Sequence, residues 1–450
     1  MKSLPILFVI FVLLTVGTVE AQFTIKDTFL EVTGVSNQGL VAGYEAQGGP
    51  YFIWNADAGT TAQIGGIAPG NGVGGQAGFS DEGDYLSGTS QGSVSAELSR
   101  YDTHAQQWIP LGSLGFIVDN SMSGGYAISG DGNTVVGNSW ADPLLSGGVF
   151  CTHAVAWSSS EGLMDLGSMF ASTGRSARAN AVSYDGSVVV GWQDFNGPWK
   201  SAVWRKNPSG GYLPNEYLLI DPNGNPNDEF NQLGECSAVS ADGKWIGGYG
   251  DYANNYEPWI WSEATGVINL GTLAVGAQGY VTGMNADATV VVGWFSQGMW
   301  DPNIPFIWTP TDGLMDLNTY FTNVLGFNLG TSRVYVPSRL SANGQYLAGW
   351  GIDESSFMFF SFRAKLFTVG MSHVKPTNQL SLYPNPAHQQ VFIKNVGKAK
   401  FTLSTLEGSL VESKEVIGDC IFNLAGYKAG IYVVTQQTAK HTLTSKLVVY

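Results

Sequence analysis

Most of this chain repeats one short pattern, best seen in Ala181-Val182-Ser183-Tyr184-Asp185-Gly186-Ser187-Val188-Val189-Val190-Gly191. An Asp-Gly pair between two apolar runs predicts a tight hairpin, because glycine tolerates positive φ and aspartate nearly does. The pattern recurs at residues 127–137 and 238–248, and looser copies centre on positions 39, 83, 288 and 344. The chain therefore contains seven such turns and is a repeat array.

Each repeat continues with an aromatic strand and a second glycine turn. In the third repeat, Ala154-Val155-Ala156-Trp157 precedes Gly162-Leu163-Met164-Asp165-Leu166-Gly167. A unit of this kind predicts four antiparallel strands, which make one propeller blade, and seven blades close a ring. We therefore predict an all-β protein in which residues 22–370 form a seven-bladed β-propeller. A β-solenoid or an irregular double sheet is the alternative.

The two ends of the array complement each other. The last repeat shows no clear fourth strand after Phe357-Met358-Phe359-Phe360, whereas an extra strand-like segment, Phe23 to Val32, precedes the first repeat. We expect this N-terminal segment to pair with the last blade and close the ring. The alternative architectures would not need it.

The composition supports this fold class and narrows the range of partners. The chain has 59 glycines, 12% aromatic and 13% charged residues, which is typical of many tight turns between half-buried strands. Residues 1–370 hold 13 Lys and Arg against 32 Asp and Glu, net −19, and residues 371–450 hold 8 against 4, net +4. An acidic working domain argues against nucleic acid or an anionic membrane as a partner.

The C-terminal end contains Leu380-Ser381-Leu382-Tyr383-Pro384-Asn385-Pro386-Ala387, then Leu424 to Val434, and ends in Lys446-Leu447-Val448-Val449-Tyr450. In this order these segments resemble the type A C-terminal sorting domain that type IX secretion systems read in bacteria of the Bacteroidetes group. The matching motif residues are Tyr383, Pro384, Asn385, Pro386, Gly430 and Tyr432. Short glycine-bounded apolar runs predict a small β-sandwich at residues 380–450, after a linker at 371–379.

This resemblance implies a location and a partner. It implies handling by the type IX secretion machinery, export through the outer membrane, and a secreted or cell-surface protein. It also implies removal of the sorting domain and, in many members, attachment to surface lipopolysaccharide.

The N-terminal end predicts a signal peptide at residues 1–21. Lys2 is followed by an apolar run from Leu4 to Val16 and by Val19-Glu20-Ala21, a small-residue cleavage site that places the cut between Ala21 and Gln22. The apolar run is shorter than the roughly 20 residues of a membrane-spanning helix, and no later stretch qualifies. We therefore expect a mature chain without a transmembrane segment.

The third repeat carries a second resemblance. His153-Ala154-Val155-Ala156-Trp157 with Met164-Asp165-Leu166-Gly167 resembles the HAF-type extracellular repeats, which join a His-Ala-Phe-like strand ending in Trp to a Met-x-Asp-Leu-Gly hairpin. The resemblance covers residues 33–363. It implies an extracellular repeat protein and no established catalytic residue. Most repeats lack the histidine, so His153 is not predicted to be functional.

Signals for a cofactor are weak. Asp221, Asn223, Asn225 and Asp228 alternate as calcium ligands do, but Pro226 departs from the EF-hand pattern, so a solvated loop is the favoured interpretation. No other metal or cofactor is predicted, and the aspartates before the turn glycines are assigned to turn chemistry. The cysteines Cys151, Cys236 and Cys420 have no metal-binding spacing. A Cys151–Cys236 disulfide is open, and isolated buried thiols are favoured.

One set of aromatic residues suggests a binding face. The position after the second glycine of each repeat is aromatic in five of seven units, Tyr44, Trp192, Tyr249, Trp294 and Trp350. In a propeller these strand ends lie opposite the Asp-Gly turns, beside loops of variable length that contain Trp140, Trp199 and Trp300. Exposed Trp and Tyr beside carboxylates suit stacking on sugar rings. The alternative is that these aromatics only pack between blades.

Signals for catalysis are thin. No Gly-x-Ser-x-Gly elbow, His-Glu-x-x-His helix or phosphate loop is present, and loop carboxylates such as Asp251, Glu257 and Asp301 select no acid–base pair. The sequence therefore favours a surface protein without a catalytic site that binds an extracellular ligand such as a polysaccharide. A propeller-based polysaccharide hydrolase or lyase, and a purely structural or adhesive protein, are the alternatives.

Overall fold

The computed structural model describes residues 22–26, 28–70, 74–115, 123–195, 199–214, 219, 232–250, 256–298 and 301–366, and near the C-terminus 380, 382–383, 387, 389–393, 397–405, 409–428, 430–438 and 442–449. The predicted signal peptide, the linker at 371–379 and the calcium candidate Asp221 to Asp228 lie outside these residues. Pro384, Asn385 and Pro386 of the sorting motif also lie outside them.

Seven antiparallel sheets follow one another along residues 22–366 and form the blades of a β-propeller. The first three blades contain β2 (Glu31–Val35), β3 (Leu40–Tyr44), β4 (Tyr51–Asn55) and β5 (Thr60–Gly65); β6 (Tyr85–Gln91), β7 (Ala96–Asp102) and β8 (Gln107–Gly112); and β9 (Ser123–Ile128), β10 (Thr134–Trp140), β11 (Thr152–Ser158) and β12 (Gly162–Gly167). Two short 3-10 helices, Pro143–Ser146 and Ala171–Thr173, lie in the loops after β10 and β12.

The remaining blades follow the same order. They contain β13 (Ala177–Val182), β14 (Val188–Asp194) and β15 (Trp199–Arg205); β16 (Cys236–Val239), β17 (Ile246–Gly248), β18 (Trp259–Ser262) and β19 (Gly266–Asn269); β20 (Gln278–Met284), β21 (Val291–Ser296), β22 (Ile304–Thr309) and β23 (Gly313–Asp316); and β24 (Ser332–Leu340), β25 (Tyr346–Asp353) and β26 (Met358–Lys365) with β1 (Gln22–Lys26). The α-helix α1 (Leu317–Asn323) follows blade 6 and is capped by the Asp316 side chain.

The N-terminal strand closes the ring, as the sequence predicts. β1 pairs with β26 from Gln22 opposite Lys365 to Lys26 opposite Ser361, and it supplies the fourth strand of blade 7. The prediction of one continuous strand from Phe23 to Val32 is wrong. The chain turns at Leu30, whose backbone N–H and C=O both bond to the Ser361 hydroxyl, at 2.6 and 2.8 Å. Its second half becomes β2 of blade 1.

The serine–aspartate turns have a common construction. In the fourth blade, the Asp185 carboxylate accepts from the Ser183 hydroxyl (3.0 Å) and from the Ser187 backbone (2.9 Å), and Gly186 has φ 73°. The turn aspartates of the third and fifth blades, Asp131 and Asp242, are bonded in the same way. This geometry supports the assignment of these aspartates to turn chemistry.

A ring of hydrogen bonds joins the turns of all seven blades. Each link runs from a turn residue of one blade to a turn residue of the next, over 2.7–3.0 Å. The links are Asn37 N to Asp81 O, Asp81 N to Gly130 O, Asp131 N to Tyr184 O, Tyr184 N to Ala241 O, Ala241 N to Ala286 O, Ala286 N to Ala342 O, and Asn343 N to Asn37 Oδ1. The last link crosses from blade 7 back to blade 1, so the ring is closed at this face.

The innermost strands share a β-bulge that faces the central axis. One residue of each strand is skipped in the pairing register; examples are Thr33, Asn180 and Ser237. Their side chains donate to backbone carbonyls of the following blade, at Ala77 (3.1 Å), Cys236 (2.8 Å) and Val281 (2.6 Å). The bulges therefore frame the channel and tie neighbouring blades together.

Two blades depart from the predicted four strands. In blade 2 the expected innermost strand is joined to β6 through Ser87, whose hydroxyl accepts from Gly78 N–H (2.9 Å) and donates to the Gln76 carbonyl (3.0 Å). In blade 4 the expected outermost strand is reduced to one bridge, between Lys206 and Tyr212. Side chains there replace backbone pairing.

The apolar core lies between the blades, and a separate core lies in the C-terminal part. Strands β27 (Leu382–Tyr383), β28 (Gln390–Ile393) and β31 (Cys420–Asn423) form one sheet; β30 (Leu410–Ile417), β29 (Lys398–Thr405), β32 (Gly430–Gln437) and β33 (Thr442–Val449) form the other. Phe401, Phe422 and Tyr432 are buried among their neighbours. Of the sorting-motif residues, Tyr383 lies in β27 and Gly430 begins β32. All three cysteines are buried and free.

Candidate functional site

The predicted aromatic positions lie at the far ends of the second strands, on the side of the ring opposite the turns. We call this side the mouth face. Tyr44 ends β3, Trp192 lies near the end of β14, Tyr249 follows β17, and Trp294 and Trp350 lie in the outer halves of β21 and β25. The structure brings three of them together and leaves Tyr44 and Trp350 in separate surroundings.

The grouped residues form a continuous line of contacts across blades 4, 5 and 6. We call it the aromatic arc. Its members are Trp199, Trp192, Arg178, Glu235, Tyr249, Tyr280 and Trp294.

Two tryptophans form the blade 4 end of the arc. The rings of Trp192 and Trp199 are stacked, with centroids 4.2 Å apart and planes 6° apart. Trp192 is 7% exposed and Trp199 is 46% exposed, so the inner indole supports an outer one that presents a flat apolar surface to solvent. The Trp192 indole N–H is buried and has no hydrogen-bond partner. Buried Trp N–H groups usually have a partner, so this donor is unusual.

A charged pair lies beside the stacked indoles. The Arg178 guanidinium lies 5.3 Å from the Trp192 ring centroid and 4.3 Å from that of Tyr126, both within the range of cation–π attraction. Arg178 Nη2 also lies 3.5 Å from Glu235 Oε1. This pair links blade 4 to blade 5 across the bulge of β13.

Glu235 is held by two further donors. Asn180 Nδ2 donates to Glu235 Oε1 and the Tyr249 hydroxyl donates to Glu235 Oε2, both at 2.6 Å. Burial, and then the neighbouring Glu235 carboxylate, raises the pKa of Tyr249 far above its ordinary value, so the phenol stays protonated. The carboxylate is thus fixed in place by three side chains from blades 4 and 5.

Stacked aromatic rings form the blade 6 end of the arc. Tyr280 lies 4.6 Å from Tyr249 and 4.4 Å from Trp294, measured between ring centroids, and the Tyr280 and Trp294 planes differ by 20°. The Tyr280 hydroxyl donates to Gln278 Oε1 at 2.8 Å. The arc therefore ends, as it begins, in a pair of parallel rings.

Tyr44 and Trp350 pack within their own blades. Tyr44 lies opposite Glu31 in the pairing of β2 with β3. Burial, followed by the charge of Glu31, raises the pKa of Tyr44 to about 12. Trp350 lies 5.7 Å from Phe359 and 6.2 Å from Tyr335. For these two residues the geometry matches the alternative interpretation, packing of the blades.

An arginine side chain crosses the central channel. Arg339 of blade 7 donates to Gln76 Oε1 of blade 2 at 2.5 Å and to the Thr282 carbonyl of blade 6 at 3.5 Å. Burial lowers the pKa of Arg339 to about 10, and the charge of Glu31 opposes this shift. Burial also raises the pKa of Glu31, against the opposing effect of Arg339. The channel is thus occupied by this side chain.

The turn face offers little room for a ligand. A cavity of about 80 Å³ opens among Asp81, Tyr184, Asn285 and the turn alanines around the axis. Ligand pockets are usually about 300–1,000 Å³. Burial, with the charges of Glu82 and Asp131, raises the pKa of Asp81 to about 6.

Blade 3 contains a cluster that sequence reasoning missed. His153 Nδ1 lies 2.9 Å from Asp165 Oδ1, and His153 Nε2 lies 3.1 Å from the Ser146 hydroxyl. The Cys151 thiol lies 3.4 Å from the same hydroxyl. The order of groups matches a Ser-His-carboxylate catalytic triad. The signal was present in the sequence, because His153 and Asp165 face each other in the strand and hairpin quoted above.

The protonation and burial of this cluster argue for a structural role. Burial lowers the pKa of His153, but the hydrogen bond and charge of Asp165 and the contact with Cys151 outweigh burial and raise it to about 9. The imidazole is therefore protonated at neutral pH and cannot accept a proton from Ser146. Ser146 is 1% exposed and His153 is 3% exposed, so a substrate has no access. The cluster is a buried ion pair that fastens the loop after β10.

Other predicted candidates find no catalytic arrangement. Glu257 contacts the Asn269 side chain across β18 and β19, and Asp301 is exposed. Asp251 and Trp300 lie outside the described residues. Within the part of the chain that the structure describes, no three His, Cys, Asp or Glu side chains are grouped to hold a metal ion. In that same part, no helix has the length and apolarity needed to cross a membrane.

Comparison with known proteins identifies the C-terminal part. Residues 381–450 match the model of the secretion system C-terminal sorting domain. The chain therefore carries the address of a type IX substrate, which points to export and a secreted or cell-surface location. No curated protein matches the chain by sequence. The resemblance of residues 33–363 to HAF-type repeats stays a prediction.

Solved structures with similar folds share little sequence with this chain. TolB from Acinetobacter baumannii is 13% identical with a TM-score of 0.37, and the match covers 58% of this chain and 57% of that one. The oligogalacturonate lyase from Vibrio parahaemolyticus is 12% identical, with 78% and 98% covered and a TM-score of 0.46. The β-propeller domain of the Trilobed protease from Pyrococcus furiosus is 8% identical, with 76% and 99% covered and a TM-score of 0.44. None of these similarities bears on activity.

Proposed function

We propose that this secreted or surface-displayed propeller binds an extracellular glycan through the aromatic arc. The observation that carries the proposal is the stacked pair of Trp192 and Trp199, with one half-exposed indole held flat beside Arg178 and Glu235. A sugar ring has an apolar face and polar edges, so a rigid indole plane beside hydrogen-bonding groups matches it.

The arrangement of the arc also supports this choice over catalysis. The Glu235 carboxylate already accepts from Asn180 and Tyr249 and lies beside Arg178. A general acid or base must have a proton to exchange with the substrate, whereas this carboxylate is fixed as an acceptor inside the protein. A hydrolase or lyase activity is accordingly an outcome to be tested and not our proposal.

The route to the surface follows from the sorting domain. We infer that the type IX machinery exports the chain after removal of residues 1–21 and that residues 22–370 and 380–450 act as separate units. Mass spectrometry of the chain isolated from the cell surface tests this. It should begin at Gln22 and lack the sorting domain, and a lipopolysaccharide adduct at the new C-terminus would show anchoring.

The binding proposal is tested by affinity electrophoresis and calorimetry of the full chain against a panel of polysaccharides, with calcium and with chelator. On the polymer that retains the wild type, Trp199→Ala should weaken binding at least tenfold, about 1.4 kcal/mol. Tyr184→Ala removes an aromatic of similar exposure from the turn face and serves as the matched control. New reducing or unsaturated sugar ends would instead establish an enzyme.

Two results would contradict the proposal. One is equal binding by wild type and Trp199→Ala when both melt at the same temperature. The other is no retention on any polymer, which would leave an adhesive or structural role. Loss of binding only in chelator would point to a calcium site, with Asp221, Asn223, Asn225 and Asp228 as the residues to change.

A further inference from the structure

We propose that the aromatic arc selects uncharged polysaccharides and excludes anionic ones. This inference rests on the proposed function, since it names the class of glycan that the same site takes. It is carried by the way in which the cationic side chains around the arc are matched with carboxylates.

Three arginines surround the arc, and each has a carboxylate beside it. Arg178 lies 3.5 Å from Glu235, and Arg175 lies 3.7 Å from Asp194, at the end of the strand that carries Trp192. Below the arc, Arg339 in the channel interacts with the charge of Glu31. Anionic sugars are recognised by guanidinium or ammonium groups that are available to a carboxylate or sulfate. Here the protein supplies those anions itself.

Displacing the internal carboxylate would be costly. The Glu235 side chain is 7% exposed and accepts from Asn180 and Tyr249 at 2.6 Å in addition to its pairing with Arg178. An anionic ligand that took Arg178 would leave this buried carboxylate without its cation, which is strongly unfavourable. The working domain is also acidic, so the long-range field repels a polyanion. Local and long-range electrostatics therefore agree.

The geometry of the arc fits a polymer. The Trp192–Trp199 pair lies on blade 4 and the Tyr280–Trp294 pair lies on blade 6. The polar groups Glu235 and Tyr249 of blade 5 lie between them. A single sugar ring covers one indole, so two stacking pairs separated by hydrogen-bonding groups match several consecutive sugars of one chain.

The test compares retention of the full chain on a neutral glucan and a neutral mannan with retention on alginate, dextran sulfate and chitosan. Each polymer is run at low and at high salt. We expect retention on at least one neutral polymer, changed less than threefold by salt, and none on the two polyanions. Ionic recognition of a polyanion would instead weaken steeply with salt.

A substitution makes the electrostatic argument specific. Glu235→Gln keeps the size of the side chain but leaves Arg178 without a counter-charge, so it should raise affinity for alginate at least tenfold. The matched control is Glu263→Gln, which removes an exposed carboxylate that pairs with Arg205 outside the arc. The control should not raise alginate affinity. Thermal unfolding of both variants establishes that they are folded.

The outcomes separate the two proposals. Wild-type retention that is strongest on alginate, dextran sulfate or chitosan and is lost in high salt would overturn the uncharged class and leave glycan binding intact. So would a folded Glu235→Gln variant with unchanged alginate affinity. Absence of retention on every polymer would overturn the proposed function itself.

Discussion

Replacing Phe23 by alanine should open the ring at the seam between the N-terminal strand and blade 7. Phe23 is the residue by which β1 enters the core. Its ring stacks on Phe362 at 5.3 Å and lies 5.6 Å from Phe321 and 5.8 Å from Phe327, between centroids. β1 contributes only five residues to the sheet, so this contact carries much of its attachment.

The expected loss follows from burial and ring contacts. Truncating a fully buried Phe to Ala costs about 3–5 kcal/mol, and each aromatic pair contributes about 0.5–1.5 kcal/mol of such totals. Phe23 is only partly buried, so we expect about 3 kcal/mol. Ile25 on the same strand is 40% exposed, and Ile25→Ala should cost less than about 1 kcal/mol. The pair of variants thus differs by burial on one strand.

Native-state hydrogen exchange measures this loss locally. A cost of about 3 kcal/mol corresponds to roughly a hundredfold fall in protection of the amides of β26 that bond to β1. Amides of β14 in blade 4 serve as an internal reference and should change little. Equal protection of β26 in wild type and Phe23→Ala would refute the argument that this contact holds the ring closed.

Two further predictions follow from the turns and from the blade 3 cluster. Gly186→Ala places a Cβ 2.3 Å from the Thr134 hydroxyl at φ 73°, whereas Gly162 has the same φ and open space, so Gly186→Ala should cost at least 2 kcal/mol and Gly162→Ala about 1 kcal/mol in urea unfolding; equal costs would contradict the tight contact between blades. Because the pKa of His153 is raised in the folded protein, its stabilisation is complete below pH 6.5 and is lost as pH rises through about 9, so His153→Asn should destabilise the protein by on the order of 2 kcal/mol at pH 6 and little at pH 10; a gap in unfolding free energy that does not change with pH would show that the histidine is neutral.

The repeat pattern predicted the fold because its information is local. A serine, an aspartate and a glycine within four residues build each turn, and the spacing of the copies counts the blades. The N-terminal strand was predicted to complete blade 7 because that repeat lacks one strand. Its division at Leu30 was not predicted, because it depends on the hydroxyl of Ser361, 331 residues away. Contacts of that kind leave no periodic trace in a sequence.

The site could be predicted by position but not by partnership. Strand-end periodicity placed Trp192, Tyr249 and Trp294 on one face, and blades 4 to 6 bring them together. The same rule included Tyr44 and Trp350, which lie apart. Arg178 and Glu235 were missed because they are 57 residues apart and meet only where two innermost strands come together. His153 and Asp165 were dismissed because the histidine is not repeated, although their strands are adjacent.

A crystal structure of the chain with an oligosaccharide from the polymer that retains it would test the binding account most directly. We expect a sugar ring parallel to the free face of Trp199, with its hydroxyls near Arg178, Glu235 and Tyr249 and the next sugars running towards Tyr280. A sugar bound at the turn face or in a loop of blade 7, with the arc left empty, would contradict the account.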